Sequence, residues 1–364
     1  MTPVGLAACL LVPLAILAQP ADQPLRLAIA GLNHGHVSGF LQAALDRKDV
    51  RIAGVFDPHR DLLDQYARNN KLAREILFTD LGAMLDATRP EAVAIFTETS
   101  AHAAVVEACA SRHVHVMMEK PLATGVEQAR SIRKAADRGD IRVIVNYETT
   151  WYPSHAALWK MIKEQRAAGE IRKMVAMDGH PGPKEIHVQP EFLDWLTDPA
   201  RNGAGALFDF GCYGANLMTW LMDNQRPLRV TALAQTNKPS IYPRVDDEAT
   251  ILVEYPKAQG IIQASWNWPF SRKDLEVYGE RGYGIASGGN HLRVRLPDQA
   301  ETTPALAELP AAERDSISYL KSVARGKIKP AGLSSLDNNL IVTEILSAAR
   351  ESVRTGTTVA LQRH

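Results

Sequence analysis

The feature that most constrains the fold is a buried strand pattern that runs into a glycine-containing turn near the start of the chain. Leu25–Ala30 is almost entirely apolar, residues 31–39 contain three glycines, and residues 40–45 continue with the pattern of a helix. A second apolar segment, residues 51–56, ends at Asp57. Strand, glycine turn, helix and strand in this order indicate a parallel βαβ unit. The sequence therefore predicts an α/β fold that begins with a Rossmann-type parallel sheet.

The same turn has the features of a dinucleotide site. Glycine lets the backbone approach a pyrophosphate, whose charge then meets a helix N-terminus. Asp57 can accept hydrogen bonds from both ribose hydroxyls and would repel a 2′-phosphate, which favours NAD, whereas the nearby Arg60 leaves NADP possible. Asn33 and His36 occupy the second and third glycine positions of the G-x-G-x-x-G pattern. The predicted cofactor residues of the turn are Gly31, Asn33, His34, Gly35 and His36.

A lysine follows a later strand at the same sheet edge. Residues 114–118 form a short apolar segment, and Glu119, Lys120 and Pro121 come directly after it. The proline fixes one dihedral angle and can place the Lys120–Pro121 bond in cis. A single lysine is usually a solvated surface residue. Because ligands bind at the carboxyl ends of parallel strands, we predict that Glu119 and Lys120 lie at the cofactor and that Lys120 takes part in catalysis.

Two further segments complete the first predicted domain, which spans residues 22–147. The strand at residues 92–96 is followed by Thr97 and His102, which would lie on the nicotinamide side of the cofactor. His102 is either a pocket residue or a polar residue at a helix start, and both interpretations remain open. A last strand at residues 142–145 leads out of this domain into a second one, residues 148–364.

A third candidate group lies in the second half of the chain. Residues 205–223 have the apolar pattern of a helix, and Asp209 and Tyr213 are four positions apart, hence on one helical face. A carboxylate and a phenol facing a lysine form a proton-transfer group. The lysine can lower the pKa of the phenol, or the phenol can itself be the acid. The alternative for Asp209 is a carboxylate on the helix surface.

These motifs together resemble the Gfo/Idh/MocA oxidoreductases, in particular the glucose–fructose oxidoreductase branch. The resemblance covers almost all of residues 25–361. It implies a Rossmann domain followed by an α+β domain with an open, mainly antiparallel sheet beneath the active site, and a C-terminal helix that can pack back on the Rossmann domain. It also implies Lys120, Asp209 and Tyr213 as catalytic residues. Many family members have histidine where this chain has Tyr213, and tyrosine is similar to the glucose–fructose branch.

Aromatic and polar side chains in the linker and second domain suit a carbohydrate pocket. Sugars stack an apolar ring face on an aromatic ring, while polar groups bind the hydroxyls. Core packing is the alternative for any single tryptophan. The spacing of His180, Glu185 and His187 fits no metal-binding pattern, so no metal is expected. The predicted substrate residues are Tyr147, Trp151, His180, Lys184 and Trp195.

The composition and the N-terminal sequence limit which partners and which cellular location are expected. Lys+Arg and Asp+Glu both number 41, which provides no basic field for nucleic acid. Residues 5–18 form the only long apolar run, which is short for a membrane span but has the length of a signal-peptide core. We expect residues 1–21 to be a signal peptide and short linker, although no basic residue precedes Arg26. A periplasmic or secreted protein without membrane attachment is expected, and a cytoplasmic one is the alternative.

The expected function is an NAD(P)-dependent oxidoreductase that transfers hydride between nicotinamide and a CH–OH carbon of a sugar or sugar derivative. Because soluble NAD is scarce outside the cytoplasm, the cofactor is expected to stay tightly bound. A homo-oligomer formed through the C-terminal sheet is also expected. One alternative is a redox-neutral, NAD-dependent glycosidase that works by transient oxidation and elimination. Another is a non-catalytic carbohydrate- or NAD-binding protein.

Overall fold

The computed structural model of the protein describes residues 23–361 and contains two sheets. The expected signal-peptide core, residues 5–18, lies outside the described residues. Among residues 23–361, no helix combines the length and the apolar character needed to cross a membrane.

The first sheet is wholly parallel. Its six strands are β1 (Leu25–Ala30), β2 (Val50–Phe56), β3 (Leu77–Phe78), β4 (Ala92–Ile95), β5 (His115–Glu119) and β6 (Val143–Asn146). They lie in the order β3-β2-β1-β4-β5-β6. This is the strand order of doubly wound dinucleotide-binding domains, with the two halves meeting between β1 and β4. The α/β prediction is therefore confirmed, and the ends of β1, β4 and β5 meet at one edge.

Helices cover both faces of this sheet, because each strand is apolar on both sides. They are α1 (Val37–Leu45), α2 (Arg60–Asn70), α3 (Leu81–Thr88), α4 (His102–Ala110) and α5 (Val126–Gly139). Along β1, Leu27 and Ile29 join an apolar cluster with α1 and α2. The intervening Ala28 and Ala30 join another with α3, α4 and α5. This two-sided burial explains the continuous apolar runs in the sequence.

The second sheet is mixed and mainly antiparallel. Its eight strands are β7 (Ile171–Gly179), β8 (Arg229–Gln235), β9 (Glu248–Glu254), β10 (Gln259–Ser265), β11 (Arg272–Gly279), β12 (Tyr283–Ser287), β13 (His291–Arg295) and β14 (Val359–Ala360). They are ordered β13-β12-β11-β7-β10-β9-β8-β14, and only β7 and β10 pair in parallel. The expected mainly antiparallel sheet is therefore confirmed.

Among the described residues, seven further α-helices follow β6 along the chain. They are α6 (Pro153–Trp159), α7 (Pro190–Leu196), α8 (Pro199–Asn202), α9 (Ala206–Asp209), α10 (Gly211–Leu221), α11 (Ser316–Ala324) and α12 (Leu336–Thr355). The prediction of one continuous helix over residues 205–223 is wrong, because α9 ends at Asp209 and α10 begins at Gly211. The start of α9 is fixed by the Asp246 carboxylate, which accepts hydrogen bonds from the backbone N–H groups of Gly205 and Leu207. Two short helices therefore replace one.

The last part of the chain returns to the first sheet. Ile317 and Leu320 of α11 belong to the same buried apolar cluster as Leu27 of β1. The ammonium group of Lys321 pairs with Asp49 at 2.9 Å. The N-terminal domain thus includes a helix supplied from the far end of the sequence.

The longer helix α12 bridges the two sheets. Its Arg350 Nη1 donates to the backbone oxygens of Thr124 and Gly203, each at 3.0 Å. Thr124 lies just after the Lys120 segment and Gly203 just before α9. One guanidinium group therefore holds together the two segments that supply the predicted catalytic residues.

Candidate active site

Lys120 and Asp209 form a buried ion pair. Lys120 follows β5, and its peptide bond to Pro121 is cis. Its Nζ donates to Asp209 Oδ1 at 2.5 Å and to the Asp209 backbone oxygen at 3.0 Å. Trp266 Nε1 donates to the other carboxylate oxygen at 2.9 Å. The ion pair thus joins the end of a Rossmann strand to the end of α9 at the expected edge of the sheet. Two of the three N–H bonds of the Lys120 ammonium group donate to Asp209.

The pair is charged despite its burial. Burial acts to raise the pKa of Asp209, but the charge of Lys120, with His180 and two hydrogen bonds, lowers this pKa to about 2. Burial acts in the opposite sense on Lys120, and the charge of Asp209 outweighs it, so the pKa of Lys120 is raised. At neutral pH Lys120 is consequently a fixed cation rather than a free base.

Tyr213 lies in the first turn of α10, and two ammonium groups lie close to its ring. Lys120 Nζ and Lys273 Nζ are 5.1 and 5.3 Å from the centroid of its ring. Tyr147 meets the same ring edge-on, with 5.4 Å between the ring centroids. Burial, followed by the charge of Glu148, raises the pKa of the Tyr213 phenol well above its usual value. The phenol therefore remains protonated in the ligand-free site and can donate its proton.

Lys273 is a member of this group that the sequence reasoning missed. It lies in β11, and its Nζ pairs with Glu148 Oε2 at 2.5 Å. The hydroxyl of Tyr152 donates to the other oxygen of Glu148 at 2.5 Å. No local motif marks Lys273, which reaches Tyr213 only through the pairing of β11 with β7. A chain of polar groups thus leads from the Tyr213 ring through Lys273 to Glu148 and Tyr152.

The glycine turn fits a dinucleotide. Gly31 has φ +93°, and a Cβ atom there would lie 2.6 Å from the backbone nitrogen of Thr97. The buried Asn33 Oδ1 has no hydrogen-bond partner among residues 23–361. Within the described chain, α1 has no side-chain cap and no acidic residue in its first turn. The turn therefore offers close approach of the backbone, a vacant acceptor and an uncapped helix N-terminus. These are the features that the pyrophosphate and the nicotinamide of a dinucleotide require.

Asp57 is fully buried at the end of β2 and holds the turn. Its Oδ2 accepts from the backbone N–H of Leu32 at 2.7 Å, and its Oδ1 accepts from that of His59 at 2.8 Å. Arg60 instead pairs with Asp64 one turn along α2. The carboxylate is thus at the position expected for ribose recognition, with its orientation fixed by the turn that is predicted to bind the cofactor.

Glu119 connects this turn to the linker between the domains. His36 Nδ1 lies 3.0 Å from Glu119 Oε2, and Asn146 Nδ2 donates to Glu119 Oε1 at 2.8 Å. Trp151 Nε1 in turn donates to Asn146 Oδ1 at 3.0 Å. Burial acts to raise the pKa of Glu119, but His36 outweighs it and lowers this pKa to about 2. Trp151, predicted to bind substrate, is therefore tied to the cofactor side through two side chains.

His34 and Trp195 pack together under the turn. The His34 ring lies 4.6 Å from that of Phe192 and 5.5 Å from that of Trp195. Trp195 Nε1 donates to the backbone oxygen of Asn33 at 2.9 Å. Burial lowers the pKa of His34 well below its usual value, and its Nδ1 accepts from the His36 N–H at 3.1 Å. The structure thus places Trp195, predicted as a substrate residue, against the cofactor turn.

Metal binding was not expected, yet His34, His36 and Glu119 place potential ligand atoms within 4.8 Å of one another. The Nδ1 atoms of both histidines already make the contacts described above. We therefore assign this cluster to the glycine turn and its link to Glu119.

The remaining predicted residues take different positions. Tyr147 is fully buried beside Tyr213, and the His180 ring meets Phe210 edge-on at 4.8 Å. Lys184 is exposed. His102 begins α4 and is buried, with its Nδ1 3.2 Å from the backbone oxygen of Leu122. The structure thus places His102 at a helix start, where it contacts the segment after Lys120, while its role as a pocket residue stays a prediction and Thr97 lies buried against Gly31.

Comparisons with known proteins agree with this geometry. Residues 25–147 match the model of the oxidoreductase family with an NAD-binding Rossmann fold. Residues 155–284 match that of the GFO/IDH/MocA C-terminal domain. The two matches lie in the halves that supply Lys120 and Asp209, respectively.

Curated relatives include two kinds of dehydrogenase. The trans-1,2-dihydrobenzene-1,2-diol dehydrogenase of Xenopus laevis is 27% identical over 165 residues, which are 45% of this chain and 46% of the relative. The chain thus spans about half the length of that relative. An NADP⁺-dependent scyllo-inositol 2-dehydrogenase of Bacillus subtilis (strain 168) is 20% identical over 339 residues, or 84% of this chain and 91% of the relative.

Solved structures share the whole described fold. An inositol dehydrogenase homologue from Azotobacter vinelandii, complexed with NAD⁺, superposes with a TM-score of 0.80 at 20% identity, covering 93% of this chain and 98% of that one. An aldose–aldose oxidoreductase from Caulobacter crescentus gives 0.78 at 19%, covering 93% and 100%. With both domain models matched in sequence order, the chain belongs to the Gfo/Idh/MocA oxidoreductase family.

Proposed function

We propose that the protein is an NAD(P)-dependent oxidoreductase that interconverts a CH–OH group and a carbonyl group in a sugar or polyol. The observation that carries this proposal is the buried Lys120–Asp209 ion pair beside the protonated Tyr213, at the carboxyl edge of the Rossmann sheet. The polyol dehydrogenases among its relatives support the substrate class.

Each residue has a distinct chemical role. NAD(P) held at the glycine turn would supply or accept the hydride. In the reductive direction, the Tyr213 phenol donates a proton to the carbonyl oxygen and recovers it in the oxidative direction. The ammonium group of Lys120 stabilises negative charge that develops on this oxygen. Asp209 holds Lys120 in place and keeps it charged. A protein that only binds a carbohydrate does not need this proton-transfer group.

The direct test is to supply the purified protein with NAD⁺ or NADP⁺ and a panel of polyols: myo-inositol, scyllo-inositol, glucose and trans-1,2-dihydrobenzene-1,2-diol. We expect a rise in the reduced-nicotinamide absorbance with at least one of them. Release of nitrophenol from nitrophenyl glycosides without net NADH formation would instead indicate the redox-neutral glycosidase. Binding of NAD and polyols with neither reaction would indicate the non-catalytic binding protein.

We further propose that the protein is exported and retains its cofactor, on the basis of the apolar run at residues 5–18. Mass spectrometry of the mature N-terminus should show cleavage near Ala18. The nucleotide should stay with the protein through extensive dialysis. An intact Met1 in the cytoplasmic fraction would contradict export, and loss of all nucleotide on dialysis would contradict cofactor retention.

Asp57 is expected to set a preference for NAD over NADP. The Asp57→Asn variant should bind NADP more tightly relative to NAD, because a neutral amide no longer repels a 2′-phosphate. Calorimetric titration of cofactor-free protein with each nucleotide measures the ratio of the two Kd values. Arg60→Ala is the matched control, since Arg60 pairs with Asp64 and should leave the ratio nearly unchanged. Tighter binding of NADP than NAD by the natural protein would contradict the assignment.

The outward face of the second sheet supports the expected oligomer. Leu233 and Leu252 are 65% and 47% exposed on it, and Ile261 lies between Leu252 and Val175 in register. An apolar patch of this kind on a sheet face is typical of an interface between subunits. Leu252→Lys should shift the mass measured by light scattering from an oligomer to a monomer, whereas Leu45→Lys on α1 should not. A monomeric natural protein would contradict this proposal.

A further inference from the structure

Asp178 is a fully buried carboxyl group for which the fold supplies no partner. It is the penultimate residue of β7, and its side chain has no solvent exposure. Neither of its carboxylate oxygens has a hydrogen-bond partner among residues 23–361. Burying a carboxyl group without hydrogen bonds is strongly unfavourable, so such a group in a native protein calls for a functional explanation.

The side chain points to the side of the sheet where Tyr213 lies. Residues of a strand alternate between its faces, so Asp178 shares a face with Ala176. That face packs on α10, because a Cβ atom at Gly214 would lie 2.9 Å from the Ala176 Cβ.

Across the sheet, Asp178 is paired directly with Lys273 of β11. Directly opposed residues project from the same face. Lys273 Nζ is 5.3 Å from the Tyr213 ring centroid, so Asp178 adjoins the proton-transfer group.

The charged neighbours of Asp178 do not provide hydrogen bonds to its carboxyl group. Burial raises the pKa of Asp178 well above its usual value, Lys273 opposes this, and Asp274 and Glu148 raise the pKa further. The ammonium group of Lys273 pairs with Glu148. A protonated carboxyl group both donates and accepts hydrogen bonds, as hydroxyl ligands require. The titratable and charged groups around it come from the segment after β5, the linker before α6, α10 and β11, and are Lys120, Glu148, Tyr152, Cys212, Lys273 and Asp274.

We infer that Asp178 binds the substrate of the proposed oxidoreductase, its two carboxyl oxygens taking neighbouring hydroxyl groups of a polyol or sugar beside the reacting carbon. The inference rests on the proposed function and narrows its substrate class to vicinal diols. A diol can satisfy both carboxyl oxygens at once, whereas an isolated alcohol leaves one without a partner. The fold retains an unfavourable buried group because the substrate, rather than the protein, completes its hydrogen bonds.

The first experiment tests whether Asp178 is structural, without any substrate. We expect Asp178→Asn to raise the Tm of the ligand-free protein by roughly 2 °C or more, because it removes an unpartnered ionisable group. A raised folded pKa means that the folded state binds the proton more tightly, so the contribution of Asp178 to stability falls as pH rises. The gain in Tm should therefore be larger at pH 8.5 than at pH 5. A lower Tm at both pH values would show a structural role and overturn the inference.

The second experiment tests binding. The ligand is the diol of the panel that is turned over best, or myo-inositol if no diol is turned over. We expect Asp178→Ala to raise the Kd of this ligand, measured by calorimetry, roughly 10- to 100-fold. This is the size expected for the loss of hydrogen bonds to a carboxyl group. For a substrate that is turned over, KM should rise more than kcat falls. The deoxy analogue that lacks one of the two hydroxyls should lose less affinity in Asp178→Ala than the diol does, because it makes only one hydrogen bond to Asp178 in the natural protein. Asp223→Asn, an exposed aspartate paired with Lys163, is the matched control and should change nothing.

The outcomes separate the two proposals. Absence of hydride transfer with intact diol binding that depends on Asp178 would reject the oxidoreductase but not this inference. Hydride transfer with the same KM in the natural protein and in Asp178→Ala would reject the inference alone. No binding of any diol to the natural protein would also overturn it.

Discussion

Replacing Lys120 with alanine should lower kcat for the polyol substrate by roughly 100- to 10,000-fold, the range typical of a group that acts on proton transfer. Lys120 is 7% exposed, its charge is fixed by Asp209, and its Nζ lies 5.1 Å from the Tyr213 ring centroid. Among the described residues, Lys120 is the only cation that forms a salt bridge with Asp209, and alanine removes this cation. The substitution therefore affects both the reacting oxygen and the stability of the site.

These two effects can be separated. Leaving the Asp209 carboxylate buried without its partner is expected to destabilise the fold by about 3–5 kcal/mol. The double variant Lys120→Met with Asp209→Asn removes both charges and should recover most of the lost stability, measured by urea unfolding, while its kcat stays low. Lys163→Ala, which removes a lysine paired with the exposed Asp223, should alter neither quantity. Recovery of kcat together with stability would show that Lys120 is only structural.

The second large effect is expected for Tyr213→Phe, which keeps the ring and removes the hydroxyl. We expect kcat to fall by roughly 100- to 10,000-fold. The packing of the ring against Tyr147 and Lys273 is retained, so the Kd for NAD should stay within about twofold, a difference below 0.5 kcal/mol. Steady-state kinetics and calorimetry measure the two quantities on the same preparation.

The pH dependence gives an independent check on Tyr213. Because burial raises the pKa of its phenol, the deprotonated form needed to accept a proton from an alcohol is scarce at neutral pH. The rate of oxidation should therefore rise with pH, and carbonyl reduction, which uses the protonated form, should not. Tyr213→Phe should abolish the rise, whereas Tyr283→Phe, whose hydroxyl contacts Glu301 away from the site, should keep it. An unchanged pH profile in Tyr213→Phe would assign the proton to another group.

The parts of the site that could be predicted are those marked by a local pattern. Lys120 follows an apolar strand before a proline, and Asp209 and Tyr213 share a helical spacing. Even there the break between α9 and α10 was missed, and the start of α9 depends on Asp246, which is distant in the sequence. The Rossmann order was predictable for the same reason, since its strands, turns and helices alternate along the chain.

The parts that could not be predicted depend on strand register. Lys273 and Asp178 are opposed only because β11 pairs with β7, although nearly a hundred residues separate them in the sequence. Asp178 is fully buried within β7, and no local motif in the sequence marks it as a ligand. Trp195 illustrates the converse. Its aromatic character suited a sugar pocket, but its indole N–H binds the backbone of Asn33.

The position of α11 has a consequence for biosynthesis. A ribosome releases the Rossmann strands first, yet part of the apolar surface over β1 is covered by Ile317 and Leu320, which emerge only after the whole second sheet. The nucleotide domain therefore cannot complete its core until α11 has been synthesised, unlike N-terminal domains that fold as independent units. We therefore expect the protein to bind its cofactor only after α11 has been synthesised. Nascent chains arrested before residue 316 should accordingly fail to retain NAD, and retention by such chains would refute this order of folding.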